Sequence, residues 1–194
     1  MKKKLLRKWV KNVPKEVLRE MIPEKLDVSF KRPTFKDILA EQIFAISKRS
    51  ACLFYNAGAV IFRNDQILSF GYNGPSRGDV HCYEVGCNRT VGGKLLKRGS
   101  KGSGLCRGSH AELNAIGNAA KNGVSIDGAS MMVVFRPCWV CAKHIVNQGI
   151  KEVYYTFDYD GDKDAKNYLR RLGIKLIRYQ SKYLKSGRQD NRIN

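Results

Sequence analysis

The sequence predicts an α/β fold, a β-sheet layered with helices, on three observations. Short apolar runs of strand length alternate with segments whose apolar residues recur every three to four positions. Turn and stop signals, among them Asn64-Asp65, Asn122-Gly123 and Gly149, fall between these runs. The chain's 194 residues, 43% of them hydrophobic, suffice for one substantial core and are few for two full domains.

The elements follow in order. Residues 1–33 mix Lys and Arg with apolar residues and are punctuated by Pro14, Pro23 and Pro33, so 1–31 reads as a basic N-terminal extension of short helical pieces. Thr34 is placed to cap a helix whose residues Phe35, Ile38, Leu39, Ile43 and Ile46 share one face, ending near Lys48-Arg49. Residues 57–62 and 66–70, joined by Asn64-Asp65, predict a β-hairpin, closed by Gly71-Tyr72-Asn73-Gly74-Pro75. Residues 77–108 are rich in Gly, Lys, Arg and Cys without an apolar period; so long a loop is functional or disordered. Ser109 is expected to cap a second helix to about Lys121, with Asn122-Gly123 as its stop. A buried strand at 131–135 follows, then a third helix opened by Pro137 and closed by Gly149. Residues 153–157 read as a strand, 164–171 as a helix and 174–179 as a last strand. The chain has no internal repeat.

The formal charge of +19 sits at the two ends: 1–36 hold 12 basic and 4 acidic residues, 165–194 hold 9 and 1, and the middle holds 15 and 12. Such ends offer salt-dependent affinity for nucleic acid; equally, charge runs are often solvated faces or contacts to a partner subunit. Arg7, Lys8 and Lys11 interrupt any signal-like apolar run at the start, and no run of membrane length follows, so a soluble, cytoplasmic protein without a membrane is expected. All six cysteines fall between Cys52 and Cys141, and in a reducing compartment they read as metal ligands or buried thiols.

The decisive residues are His110-Ala111-Glu112 at the start of one helix and Pro137-Cys138-Trp139-Val140-Cys141 at the start of another. Zinc accepts imidazole and thiolate together, and a catalytic site keeps three protein ligands with one position open. Cys138 and Cys141, three apart, share a face near the free N–H groups of a helix start, which favour thiolates. Glu112, two residues after His110, is turned from the ligand direction and suits a base that moves protons. A purely structural zinc, as in a nucleic-acid or partner-binding module, has no use for that carboxylate.

This pair of motifs is the signature of the zinc nucleobase deaminases, and the chain resembles the deoxycytidylate (dCMP) deaminases of the cytidine deaminase-like superfamily from about Arg32 to Tyr179. The resemblance also rests on Gly58-Ala59-Val60-Ile61, Gly71-Tyr72-Asn73-Gly74, His110-Ala111-Glu112-Leu113-Asn114-Ala115-Ile116 and Cys141-Ala142-Lys143. It implies a three-layer α-β-α sandwich around a mixed sheet of about five strands, a deaminase domain over 32–180 and a basic tail over 181–194. It implies catalytic zinc on His110, Cys138 and Cys141, catalysis by Glu112, and conversion of dCMP and water to dUMP and ammonia for thymidylate synthesis. Asn73, Ala111 and Tyr159 are the implied substrate contacts. The resemblance further implies dCTP and dTTP as effectors and a homo-oligomer such as a hexamer.

Cys52, Cys82, Cys87 and Cys106, with His81 as a substitute for one of them, either close a second, structural zinc site or remain free thiols. Arg136 departs from the family pattern, which has a threonine shortly before the proline, and offers a contact to phosphate. Deamination of cytosine in single-stranded nucleic acid is the competing activity, drawing on the ends and on Lys94, Lys97, Arg98 and Lys101.

Overall fold

The computed structural model describes residues 32–92, 94–96, 106–158 and 163–181, with Pro14, Glu16 and Val17. Most of both basic ends, Tyr159, and Lys97, Arg98 and Lys101 lie outside the described residues. The chain divides into two units, Met1–Arg32 and Pro33–Asn194, and every element below belongs to the second.

Helix α1 is Phe35–Ser47. Thr34 Oγ1 accepts from Asp37 N at 3.2 Å while Asp37 Oδ2 accepts from Thr34 N at 3.0 Å, so two helix-start donors are satisfied reciprocally. Tyr179 donates to Asp37 Oδ1 at 3.0 Å. The Thr34 hydroxyl contributes most to holding Asp37 at about 2, below the usual carboxylate range.

Strands β1 (Gly58–Arg63) and β2 (Gln66–Tyr72) form the expected hairpin. Its turn residues Asn64 and Asp65 have φ of 52° and 56°, the left-handed pair that matches strand twist and that Asn and Asp tolerate. Next come β3 (Gly74–Pro75), the short helix α2 (Cys82–Val85), β4 (Thr90–Val91), β5 (Lys94–Leu95) and β6 (Gly108–Ser109). The main elements resume with α3 (Ala111–Lys121), β7 (Ser130–Phe135), α4 (Trp139–Asn147), β8 (Glu152–Phe157), α5 (Lys163–Arg171) and β9 (Lys175–Arg178).

The main sheet runs β2-β1-β7-β8-β9, antiparallel across the first two pairings and parallel across the last two. Strand alternation divides it between two apolar layers. Val60, Phe62, Met132, Val134 and Tyr154 pack with Leu39, Ala40 and Ile43 of α1. Ala59, Ile61, Met131, Val133, Val153 and Tyr155 pack against α3, α4 and α5 on the other face. This is the expected three-layer α-β-α sandwich.

Two glycines set how closely helices approach the sheet. A Cβ on Gly58 would collide with the Ile43 carbonyl oxygen of α1, and one on Gly71 with Ala115 N and Ala111 O of α3. The α3 face turned to the sheet is Ala111, Ala115 and Ala119, small residues one turn apart. Side chains then fasten α3 to edge strand β2. Ser69 Oγ donates to Ala115 O at 2.7 Å, Asn114 Nδ2 to Tyr72 O at 2.7 Å and Asn118 Nδ2 to Phe70 O at 2.9 Å.

Three local expectations are corrected. Ser109 does not cap α3: it pairs with Gly74 in the β3–β6 ladder, and His110 is the N-cap. Pro137 lies outside α4, whose N-cap is Cys138. The stretch from 77 to 108 carries α2 and the β4–β5 hairpin, elements too short for a periodic signal. Among the described residues no helix is long and apolar enough to cross a membrane.

Gly71→Ala is expected to destabilise the protein by about 1–3 kcal/mol through overpacking. Gly117 is exposed, with open space where a Cβ would go, so Gly117→Ala is expected to stabilise it by about 0.5–1 kcal/mol. Urea midpoints of the two variants measure both, with opposite signs.

Candidate active site

Two helix beginnings meet here. His110 and Cys138, the N-caps of α3 and α4, both have extended backbone, and neither makes a side-chain capping hydrogen bond. Cys141 follows one turn into α4. His110 Nδ1 lies 3.1 Å from Cys141 Sγ and 3.3 Å from Cys138 Sγ, and the two sulfurs are 3.7 Å apart.

A tetrahedral zinc with Zn–S of about 2.3 Å and Zn–N of about 2.0–2.1 Å requires sulfur–sulfur edges of about 3.8 Å and nitrogen–sulfur edges of about 3.6 Å. The observed triangle matches the first and is a few tenths of an ångström tight on the second. Among the described residues this is the only group of three or more His, Cys, Asp or Glu side chains gathered as a metal would require. Three ligands and no fourth is the donor set of a catalytic zinc site.

The thiols are unequal. Contact with Cys141, then with His110, outweighs burial and holds Cys138 at about 3, while Cys141, facing Cys138 and Glu112, is pushed up. Zinc takes both cysteines as thiolates, so its binding releases protons and weakens as pH falls. Glu112, 8% exposed, is the buried carboxyl beside them. Burial raises its proton affinity, opposed by His110, its own backbone N–H and Cys141. A desolvated carboxyl next to a metal site is suited to accept and return a proton.

A cavity of about 990 Å³, counting the solvent at its mouth, opens on these groups. Glu112, His110, Cys138 and the expected Ala111 and Asn73 line it, as do Phe54, Tyr55, Arg89 and Phe135, none of which carried a signal in the sequence. Asn73 is already engaged: Oδ1 accepts from Ala57 N and Nδ2 donates to Tyr55 O, both at 2.8 Å. Its φ is not left-handed, so it is a brace for residues 55–57 rather than a turn former. One lone pair and one hydrogen of the amide remain beyond these bonds. Ala111 is buried at the first turn of α3.

Cys52, Cys82, Cys87 and Cys106 line the same cavity. The Cys82 thiol is raised by burial and then by neighbouring Cys52 and Cys87. Among the described residues no three of these sulfurs, nor His81 with two of them, lie as close together as the ligand atoms of the first site, although Cys52 and Cys87 are near enough to act on Cys82. Arg136 does not serve as the expected phosphate contact. Its side chain is 5% exposed and pairs with Asp158 at 3.0 Å, and it is not among the residues lining the cavity.

Residues 35–157 match the family model for the cytidine and deoxycytidylate deaminase zinc-binding region. The chain belongs to this family. The deoxycytidylate deaminase of Enterobacteria phage T4 is 35% identical over 73% of this chain and 88% of its own length. The human deoxycytidylate deaminase is 38% identical over 66% and 68%. The dCMP deaminase of cyanophage S-TIM5, solved with dCMP and dUMP, superposes with a TM-score of 0.62 at 27% identity, covering 77% of this chain and all of that one.

Zinc is accordingly the cofactor of this deaminase-family chain. Cys138→Ala is expected to lose one zinc per chain relative to the unmodified protein, measured by elemental analysis after gel filtration. Glu112→Ala is expected to keep it.

Proposed function

We propose that this protein is a hydrolase that converts dCMP and water to dUMP and ammonia. The observation that carries the reading is the buried Glu112 carboxyl beside a three-ligand zinc set at a cavity open to solvent. Relatives named for this activity at about 35% identity support it.

His110, Cys138 and Cys141 hold the metal. When bound, zinc acidifies water toward neutral pH and so supplies the nucleophile of a hydrolytic deamination. Glu112 takes one proton from this water and passes it to ring nitrogen N3 as the C4–O bond forms. It then takes the proton left on the new C4 hydroxyl and passes it to the amino group, so the C4–N bond breaks, the C4=O carbonyl is completed and ammonia leaves. A carboxylate that ligated the metal could not make both transfers. Asn73 holds residues 55–57, and with them one wall of the cavity, in place.

The wider role follows the same reading: dUMP supply for thymidylate synthesis in the cytoplasm, with six reduced cysteines suited to that compartment. We infer a homo-oligomer regulated by dCTP and dTTP, with Trp139 and Val140 exposed on α4 as candidate contacts. Residues 32–180 form the catalytic domain in this proposal, and the basic ends are accessories.

Ammonia release from dCMP, CMP, deoxycytidine, cytosine and a cytosine-containing single strand tests the activity. Turnover of dCMP is expected, reduced by on the order of 10²–10⁴-fold in Glu112→Ala; activity on the strand alone would overturn the reading. Light scattering is expected to show an oligomer, and dCMP turnover is expected to respond to added dCTP and dTTP. A monomer, or flat rates, would refute the respective inference.

A further inference from the structure

Three buried side-chain atoms among the described residues lack any hydrogen-bond partner: His81 Nδ1, Arg89 Nε and Thr90 Oγ1. All three belong to the insertion between β3 and β5. Buried polar groups are almost always paired, so each of these atoms takes its partner from outside the chain: a water, an ion or a bound ligand. Of the three residues only Arg89 lines the cavity that holds His110 and Glu112.

Among the described residues that line this cavity Arg89 is also the one permanently charged cation; the other ionisable groups among them are Glu112, the cysteines, Tyr55 and His110. Its guanidinium is held in place. Nη2 donates to Leu96 O at 2.7 Å, and Leu96 N donates back to Arg89 O at 2.8 Å, across the β4–β5 hairpin. The side chain is therefore anchored through one nitrogen while Nε, a second donor of the same planar group, is left over. Arg89 lines the cavity, and its Nε has no partner within the protein.

A nucleoside monophosphate brings about two negative charges into the cavity. Desolvating that phosphate without a cation is prohibitive. A pre-oriented guanidinium is the side chain best matched to it, through charge-assisted hydrogen bonds. Arg136, the cation that the sequence offers for this task, is instead consumed by Asp158.

We propose that Arg89 is the specificity-determining residue that binds the 5′-phosphate of the nucleotide and so separates nucleotide from nucleoside. This inference rests on the nucleotide-deaminase reading, and its test is kept apart from turnover.

Calorimetric titration of the zinc-loaded full chain with dUMP and with deoxyuridine reads it directly. The unmodified protein is expected to prefer dUMP by about tenfold or more, and Arg89→Gln to lose most of that preference. Arg89→Lys, which keeps the charge without the fork, is expected to fall between. Lys94→Ala, an exposed lysine on the same hairpin, is expected to leave the preference unchanged. An undiminished preference in Arg89→Gln, or none in the unmodified protein, overturns the proposal. Should Arg89→Gln fail to fold, Arg89→Lys decides: a reduced preference supports it and an unchanged one overturns it. Failure of dCMP turnover would overturn the deaminase reading while leaving the dUMP preference, and its dependence on Arg89, measurable.

Discussion

The seating of α3 on the β1–β2 hairpin is the contact from which the rest of the site follows. Gly71 lets the helix backbone come down onto the strand, the alanine face of α3 accepts that distance, and Ser69, Asn114 and Asn118 fasten the two together. His110 opens α3 and Cys138 opens α4, so a small change in how α3 sits displaces the imidazole relative to both sulfurs. Interiors packed at crystal-like density do not absorb such a shift smoothly.

The change of strand direction at β7 does the complementary work. It pairs antiparallel with β1 and parallel with β8, and its last residues lead into the Cys138 turn. Arg136 N donates to Phe157 O at 2.9 Å and the Arg136 side chain reaches Asp158, so the strand end just before the metal turn is tied twice to its neighbour. Arg178 Nη1 lies 3.9 Å from the second oxygen of Asp158, extending the tie to β9. This is a structural use for an arginine that departs from the family pattern.

The sequence made the chemistry more legible than the surroundings. His110, Glu112, Cys138 and Cys141 stood out because metal coordination restricts both residue type and spacing, and the large elements because apolar periodicity accumulates over many residues. Short ladders such as β3–β6 leave no such record. Asn73 was legible as special but not in its role, because the same amide can bond a ligand or a backbone and only the fold puts Tyr55 and Ala57 within its reach. Arg89 was hidden for a different reason: in a basic, glycine-rich stretch one arginine looks like any other, and its distinction is the missing partner of one nitrogen.

The two helices that build the site begin without side-chain caps, whereas α1, on the opposite face of the sheet, has a complete capping box. The positions where Ser, Thr, Asp or Asn would ordinarily stabilise a helix start, by roughly 1 kcal/mol, are given over to His110 and Cys138. A metal held by His110, Cys138 and Cys141 would join these two helix starts to each other, a link between elements that a local cap on either helix does not provide.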